Sequence, residues 1–471
     1  MLLEKFFKLK KNNTDVKTEV LAGIATFVSM VYIISLNPNI LSAFEINTPL
    51  WNGIFLATCI SAFLGTMLVG LLANKPLTMA PGMGSNSYFA IVTASTAAML
   101  GISYTEAYQA GLVIILLEGI LFVILTIIRV REKIIDAIPE CIRISIAPAI
   151  GIFLMFIALK YNVTIFSDSG GPFYMGDDFF GAINTVAARE KLGSAFPEMY
   201  LSVITMLAGF FTIAVLAYRR IPGCIPLGIL AASIIYWSGA YLCGRDPFAS
   251  LQNASWLPPF NDFFSTTFFR FDFDCFMKIG LDTALLLIVT FCVVDLFDTV
   301  GTLIGTSSKT NLLNEKRQMK KALLSDAVAT VVGGTLGTST VTTFAESNAG
   351  IAAGGRTGLT SAVIAILFLF CMFLAPAVAL IPAPATSAAL LYVGILMFRD
   401  IKRINFDDLT EFAPAMIMIV LMPASHSIGH AIGLGLISYA VIKLFCGKSR
   451  EVSLLTYTVS ILFLIKFFLL F

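Results

Sequence analysis

The sequence predicts an all-α polytopic membrane protein, and three observations predict it. First, 58% of the 471 residues are hydrophobic and only 13% are charged, about half the charge of an ordinary soluble domain. Second, apolar runs recur along the whole chain without the alternation of strands. Third, a membrane helix uses about 20 residues, so fourteen of them need roughly 280, which the chain supplies with loops to spare. Mean hydropathy is +0.88. The formal net charge of +2 argues against a nucleic-acid partner. The eight Cys are scattered without a CxxC pair, so neither a metal site nor a disulfide framework is expected. The charged N-terminal arm does not read as a cleavable signal.

In chain order, the first set of spans falls near Leu21–Leu41, Ile54–Leu72, Leu77–Thr93, Gly111–Ile128, Ile142–Leu159, Leu201–Tyr218 and Cys224–Leu242. The second falls near Ile279–Leu303, Leu323–Leu336, Val341–Gly355, Leu359–Ile381, Ala388–Phe398, Phe412–Ser425 and Ile428–Leu444. The final run, Leu454–Phe471, is either a further span or an interfacial helix. Most of the 31 Lys and Arg collect in the N-terminal arm and in alternate loops, such as those holding Arg129–Arg143 and Lys309–Lys321. The positive-inside bias therefore puts the N-terminus in the cytoplasm.

Two spans are poor simple helices. The third reads PLTMAPGMGSNSYFAIVTAS and the tenth reads GTSTVTTFAESNAGIAAGGRTG. Both are short, rich in small residues, and carry a polar residue, Asn86 or Glu346, in mid-segment. They hold corresponding places in the two sets of seven. Interrupted segments at matching positions are the sequence sign of an inverted-repeat transporter. Broken backbone inside a bilayer must line a cavity or be buried in protein. The alternative is that the glycines only let helices pack closely.

Acidic residues inside spans are functional candidates because they are costly there. These are Glu118, Asp295, Asp298, Asp326 and Glu346. Asp295 and Asp298 are spaced i,i+3 and share one helix face. Burial, together with a second acid close by, makes a carboxylic acid hold its proton, the property a proton carrier needs. Glu118 reads equally as a packing residue. Asp326 is expected to cap a helix or pair with the basic loop. A carboxyl group at Glu346 and an amide at Asn86 suit the two polar edges of a planar heterocycle, on which Phe89, Tyr88, Phe291, Phe297 or Phe344 could stack. His426 and His430 lie at i,i+4 without a third ligand nearby, so no metal is assigned to them.

The stretches MAPGMGSNSYFA, DLFDTVGTLIG, ESNAGIAAGGRTGLTS and IGLGLISY, with the opening KTEVLAGIATFVSMVYIISLNPNIL, resemble the adenine/guanine/hypoxanthine permeases. These form a branch of the nucleobase–cation symporter-2, or nucleobase/ascorbate transporter, family. The resemblance runs from about Thr18 to Lys448. It implies fourteen transmembrane segments in two inverted repeats of seven, with short strands in spans three and ten. Core spans 1–4 would occupy 1–137 and gate spans 5–7 would occupy 138–243. Core spans 8–11 would occupy 279–381 and gate spans 12–14 would occupy 382–448, followed by a hydrophobic segment at 453–471.

The implied activity is proton-coupled uptake of purine bases at the cell membrane, with no cofactor besides the coupling proton and with homodimers formed through the gate. By motif position, Asp295 and Glu346 would bind the base. Asn86 and Gly84 would line the site with Phe89, Ser347 and Asn348, and Asp298 would serve proton coupling beside Asp295 and Glu346. The chain departs from the pattern at Ser85 and Ser87 around Asn86, at Asn348, and at MPASHSIGHAIG, which brings in both histidines. The extra polar groups bear on which ring edge is accepted. The alternatives are a carrier of the same fold for xanthine, uracil or an inorganic anion, and a membrane prenyltransferase using Asp295 and Asp298 with Asp407 and Asp408. Two or three acids in the site argue against the anion carrier.

Overall fold

The computed structural model describes residues 2–128, 138–162, 196–221, 223–248, 255–310, 316–425 and 428–469. In chain order the main elements are α1 (Val16–Met30), α2 (Ile33–Leu41), α3 (Pro49–Leu72), β1 (Met79–Pro81), α4 (Met83–Leu100) and α5 (Tyr104–Ile127). There follow α6 (Glu140–Asn162), α7 (Phe196–Tyr218), α8 (Cys224–Leu242), α9 (Leu281–Thr310), α10 (Lys316–Leu336) and β2 (Val341–Thr343). The chain ends in α11 (Ser347–Ala352), α12 (Gly358–Phe370), α13 (Ala383–Phe398), α14 (Leu409–Ser425), α15 (Ile428–Phe445) and α16 (Leu454–Leu469). Among the described residues, eight helical stretches are long and apolar enough to cross a bilayer. The fold is thus the helical, membrane-type architecture that composition required.

Backbone contacts divide the chain into two compact units. One comprises residues 1–127 and 185–389, the other residues 128–184 and 390–471. In the first unit the two interrupted spans meet. β1 and β2 pair antiparallel, with Met79 opposite Thr343, Ala80 opposite Thr342 and Pro81 opposite Val341. The ladder continues at both ends, where Gly82 N–H donates to the Thr340 carbonyl (2.9 Å) and Phe344 N–H to that of Thr78 (2.9 Å). Each extended segment leaves backbone groups unpaired in a water-poor interior, and pairing satisfies them mutually. The outer edges are closed by hydroxyls. Thr66 of α3 accepts from Met79 N–H (2.9 Å) and reaches the Met79 carbonyl (2.8 Å), while Thr330 of α10 donates to the Val341 carbonyl (3.2 Å).

The first span is itself broken, which its apolar run did not announce. α1 ends at Met30 and α2 starts at Ile33. Pro38 inside α2 has no N–H for the Ile34 carbonyl. Upstream of it the bonds tighten to an i→i+3 pattern, Ile34 N–H to Val31 and Ser35 N–H to Tyr32, both 3.2 Å. Tyr32 stands at this break.

Glu19 of α1 is fully buried and caps the start of α12. Its carboxylate accepts from the N–H groups of Arg356 (2.9 Å), Thr357 (3.3 Å) and Thr360 (3.2 Å) and from the Thr360 hydroxyl (2.6 Å). A carboxylate there satisfies N–H groups that a helix start leaves unpaired and suits the positive helix end. Glu19→Ala should destabilise the protein by about 2 kcal/mol, read as a lower Tm in detergent. An unchanged Tm would show that the cap contributes nothing.

In the second unit, α14, α15 and α6 pack together and α16 lies against α15. Lys443 of α15 is almost fully buried, bonded to Glu451 (2.6 Å) with Glu411 at 3.8 Å. Asp408 precedes α14, where it accepts from Thr410 N–H (2.8 Å) and hydroxyl (2.7 Å) and from Lys448 Nζ (2.8 Å). Lys448, then Thr410, hold its carboxyl well below the usual carboxylate range. Its stabilisation is therefore complete above the unfolded value of about 3.9 and is lost as pH falls through the lower folded value. Accordingly, Asp408→Asn should lower Tm above about pH 5, and the gap should narrow below about pH 4. A gap independent of pH would contradict this.

Candidate functional site

The site is built where β1, α4, β2, α11, α9 and α1–α2 come together in the first unit. The α9 helix packs on α4, on β2 and on α11. It brings Asp298, half-buried, to the ribbon, and carries Asp295, only 1% exposed, one turn earlier. A Cβ on Gly82 would lie 3.4 Å from Asp298 Oδ2 and 2.7 Å from Thr342 Cγ2. A side chain at position 82 would thus enter the space between the strands and the acid, which the glycine leaves open. Asp298 also stands within coulombic range of Asp326 and Glu346. A hydroxyl link runs alongside, with Thr299 donating to Asp326 Oδ1 (2.7 Å) and accepting from the Thr342 hydroxyl of β2 (2.6 Å). Asp326 is fully buried and accepts this bond from α9.

Glu346 immediately precedes α11 and is half-buried. Its Oε1 accepts from the phenol of Tyr32 at 2.7 Å. Tyr32 carries no motif signal of its own in the sequence. The polar cluster that follows it (Ser35, Asn37, Asn39, with Pro38) was the available sign that the first span is irregular.

Several polar residues expected at the site brace it. Asn86 is fully buried. Its side-chain carbonyl accepts from the Ser339 hydroxyl, and its amide nitrogen lies 3.4 Å from the Pro81 carbonyl. The Ser85 hydroxyl accepts from that of Thr340 and reaches the Gly82 carbonyl (3.0 Å). Ser347 accepts from Thr78 N–H (3.1 Å) and donates to the Phe344 carbonyl (2.7 Å). Asn348 donates to the Ala345 carbonyl (2.8 Å) and is half-buried. Gly84 is buried in the first turn of α4.

The aromatic residues form a cluster. Phe89 packs edge-on to Tyr108 (5.1 Å) and to Phe291 (6.2 Å), and a Cβ on Gly111 would lie 2.8 Å from its ring. Tyr88 lies 4.8 Å from Phe291. Phe344 is buried. The Phe297 side chain lies outside the described residues, as does His426. His430 packs edge-on to Phe467 (5.4 Å). Glu118 is fully buried in α5. Among the described residues, no three His, Cys, Asp or Glu are placed to hold a metal ion.

Chemically, the arrangement offers half-buried carboxylates and fixed amides beside irregular backbone, suited to a small polar planar molecule.

Comparison with known proteins agrees with this architecture. A family model described as "Permease family" matches residues 17–425. The adenine permease AdeP of Escherichia coli (strain K12) is 36% identical over 99% of this chain and 96% of its own length. The guanine/hypoxanthine permease PbuO of Bacillus subtilis (strain 168) is 35% identical over 98% of this chain and all of its own. Among solved structures, the transmembrane domain of the cyanobacterium bicarbonate transporter BicA superposes with a TM-score of 0.61 at 15% identity, covering 89% of this chain and 97% of that domain. That likeness concerns the fold alone. The relatives are permeases and not enzymes, which removes the prenyltransferase alternative. This chain is a membrane protein of the permease family, in the branch that holds the adenine and guanine/hypoxanthine permeases.

Proposed function

We propose that the protein carries purine bases (adenine, hypoxanthine and guanine) into the cell by alternating access, coupled to protons. The observation that carries this reading is the ribbon of β1 and β2, which joins two interrupted spans and stands beside Asp298 and Glu346. Permeases named for adenine and for guanine/hypoxanthine align with nearly the whole chain, which supports adenine, hypoxanthine and guanine over xanthine or uracil.

In this account Asp295 and Glu346 receive ring N–H groups. Asn86, Gly84, Ser347 and Asn348 shape the backbone around the base, and the Phe89 cluster backs it. Asp298, supported by Asp295 and Glu346, takes the coupling proton. The chain comprises fourteen spans as two inverted repeats of seven, with the N-terminus in the cytoplasm and core and gate domains that rock against each other. The parallel use of Thr66 in span two and Thr330 in span nine, each bonded to its own repeat's strand, supports that symmetry. The protein is a homodimer through the gate domain, in the cell membrane.

Uptake of labelled adenine, hypoxanthine, guanine, xanthine and uracil into cells lacking their own carriers tests the reading. Adenine, hypoxanthine and guanine should accumulate, and dissipating the proton gradient should stop it. Accumulation that follows Na⁺ and ignores pH would overturn the coupling. Asp298→Asn should abolish accumulation against a gradient while leaving base exchange measurable. Full accumulation by that variant would remove Asp298 from the coupling step.

A further inference from the structure

The break in the first span places the phenol of Tyr32 2.7 Å from Glu346 Oε1, across 314 residues of chain. Tyr32 is 3% exposed, and this is its one side-chain hydrogen bond among the described residues. A Phe would fill the same volume, so the hydroxyl adds only this bond. The second oxygen of Glu346 has no side-chain partner among the described residues, and Glu346 is half-buried. A glutamate side chain is otherwise free to rotate, and fixing it costs entropy at the moment of binding. A rigid buried phenol removes that cost before a ligand arrives.

We infer that Tyr32 is a positioning residue that sets which purine edge Glu346 accepts, an inference that rests on the purine reading above. A carboxylate with both oxygens open accepts two neighbouring N–H donors. With one lone pair of Oε1 taken by the phenol, Oε2 is the freer acceptor, and a second donor beside it competes with the phenol for Oε1. Hypoxanthine offers a single N–H on its six-membered-ring edge, at N1. Guanine offers two side by side, at N1 and at the 2-amino group. The Tyr32–Glu346 pair therefore favours the single-donor edge, and removing the hydroxyl opens the second oxygen to the two-donor edge.

The test is Tyr32→Phe, with uptake of labelled hypoxanthine and of labelled guanine measured at matched membrane levels. The KM for hypoxanthine should rise about tenfold, with guanine much less affected or improved and the maximal rates little changed. Equal loss for both bases, or no change in either, would overturn the inference while leaving purine transport standing. A wild-type protein that takes up neither base would overturn the purine reading itself. If Tyr32→Phe does not reach the membrane, Tyr32→Leu reads the same link, because it removes the phenol and leaves Glu346 intact. The same shift in the hypoxanthine-to-guanine ratio is expected, and an unshifted ratio would count against the role.

Discussion

Uptake of adenine, hypoxanthine and guanine should fall on the order of a hundredfold in Glu346→Gln, with the variant present in the membrane at wild-type levels. The substitution preserves shape. Glutamine can still accept from the Tyr32 phenol through its one oxygen, so the local fold has little reason to change. What changes is the other end of the group. Where the carboxylate offers an acceptor, the amide offers N–H donors, which face the ring N–H of the base donor to donor. A charged hydrogen bond is lost and a buried polar contact becomes repulsive, each worth about 1–3 kcal/mol. The loss should appear in all three purines, since hypoxanthine and guanine offer N1–H on that edge and adenine its 6-amino N–H. Labelled uptake, normalised to protein in isolated membranes, checks this. Uptake at the wild-type rate would take Glu346 out of the site.

The largest structural effect is expected at Gly358. A Cβ there would lie 2.0 Å from the Gly70 carbonyl oxygen and 2.7 Å from its carbon. These atoms are backbone of α3, so no side-chain rotation relieves the clash and the two helices must separate. Small residues permit such backbone-to-backbone crossings in membrane bundles. The same junction carries the bond from Gly358 N–H to Asn74 (2.9 Å), the reach of the Ser361 hydroxyl to the Lys75 and Leu77 carbonyls, and the Glu19 cap. Separation would strain all of them, and the segment after Leu77 leads directly into β1. Gly358→Val should cost at least about 3 kcal/mol. The result would be a large drop in Tm in detergent, or loss of the protein from the membrane. A variant with wild-type Tm and yield would contradict the crossing.

The architecture was legible in the sequence wherever local chemistry conflicts with a membrane helix. Gly82 and Gly84 around Pro81, and the TSTVTTF stretch before Glu346, interrupt apolar runs, and that interruption marks β1 and β2. The i,i+3 pair Asp295 and Asp298 was visible because both sit on one uninterrupted helix. Other features depend on segments hundreds of residues apart. The Tyr32–Glu346 bond, the Glu19 cap on α12 and the Asn86–Ser339 brace each join distant parts of the chain, and no periodicity reports such pairs. The Thr299–Asp326 bond likewise joins two different helices. Ser85 reads as an added polar group and Ser347 as a site residue, and each also bonds one interrupted span to the other. A hydroxyl beside a broken helix serves either purpose, and only the position of its partner decides.

The most direct test of the account is a structure of the protein in a lipid nanodisc with a transported purine bound. The account predicts the base between β1–α4 and β2–α11, with ring nitrogens within about 2.7–3.2 Å of carboxylate oxygens of Glu346 and Asp295. A base lodged elsewhere, or held without either carboxylate, would contradict it.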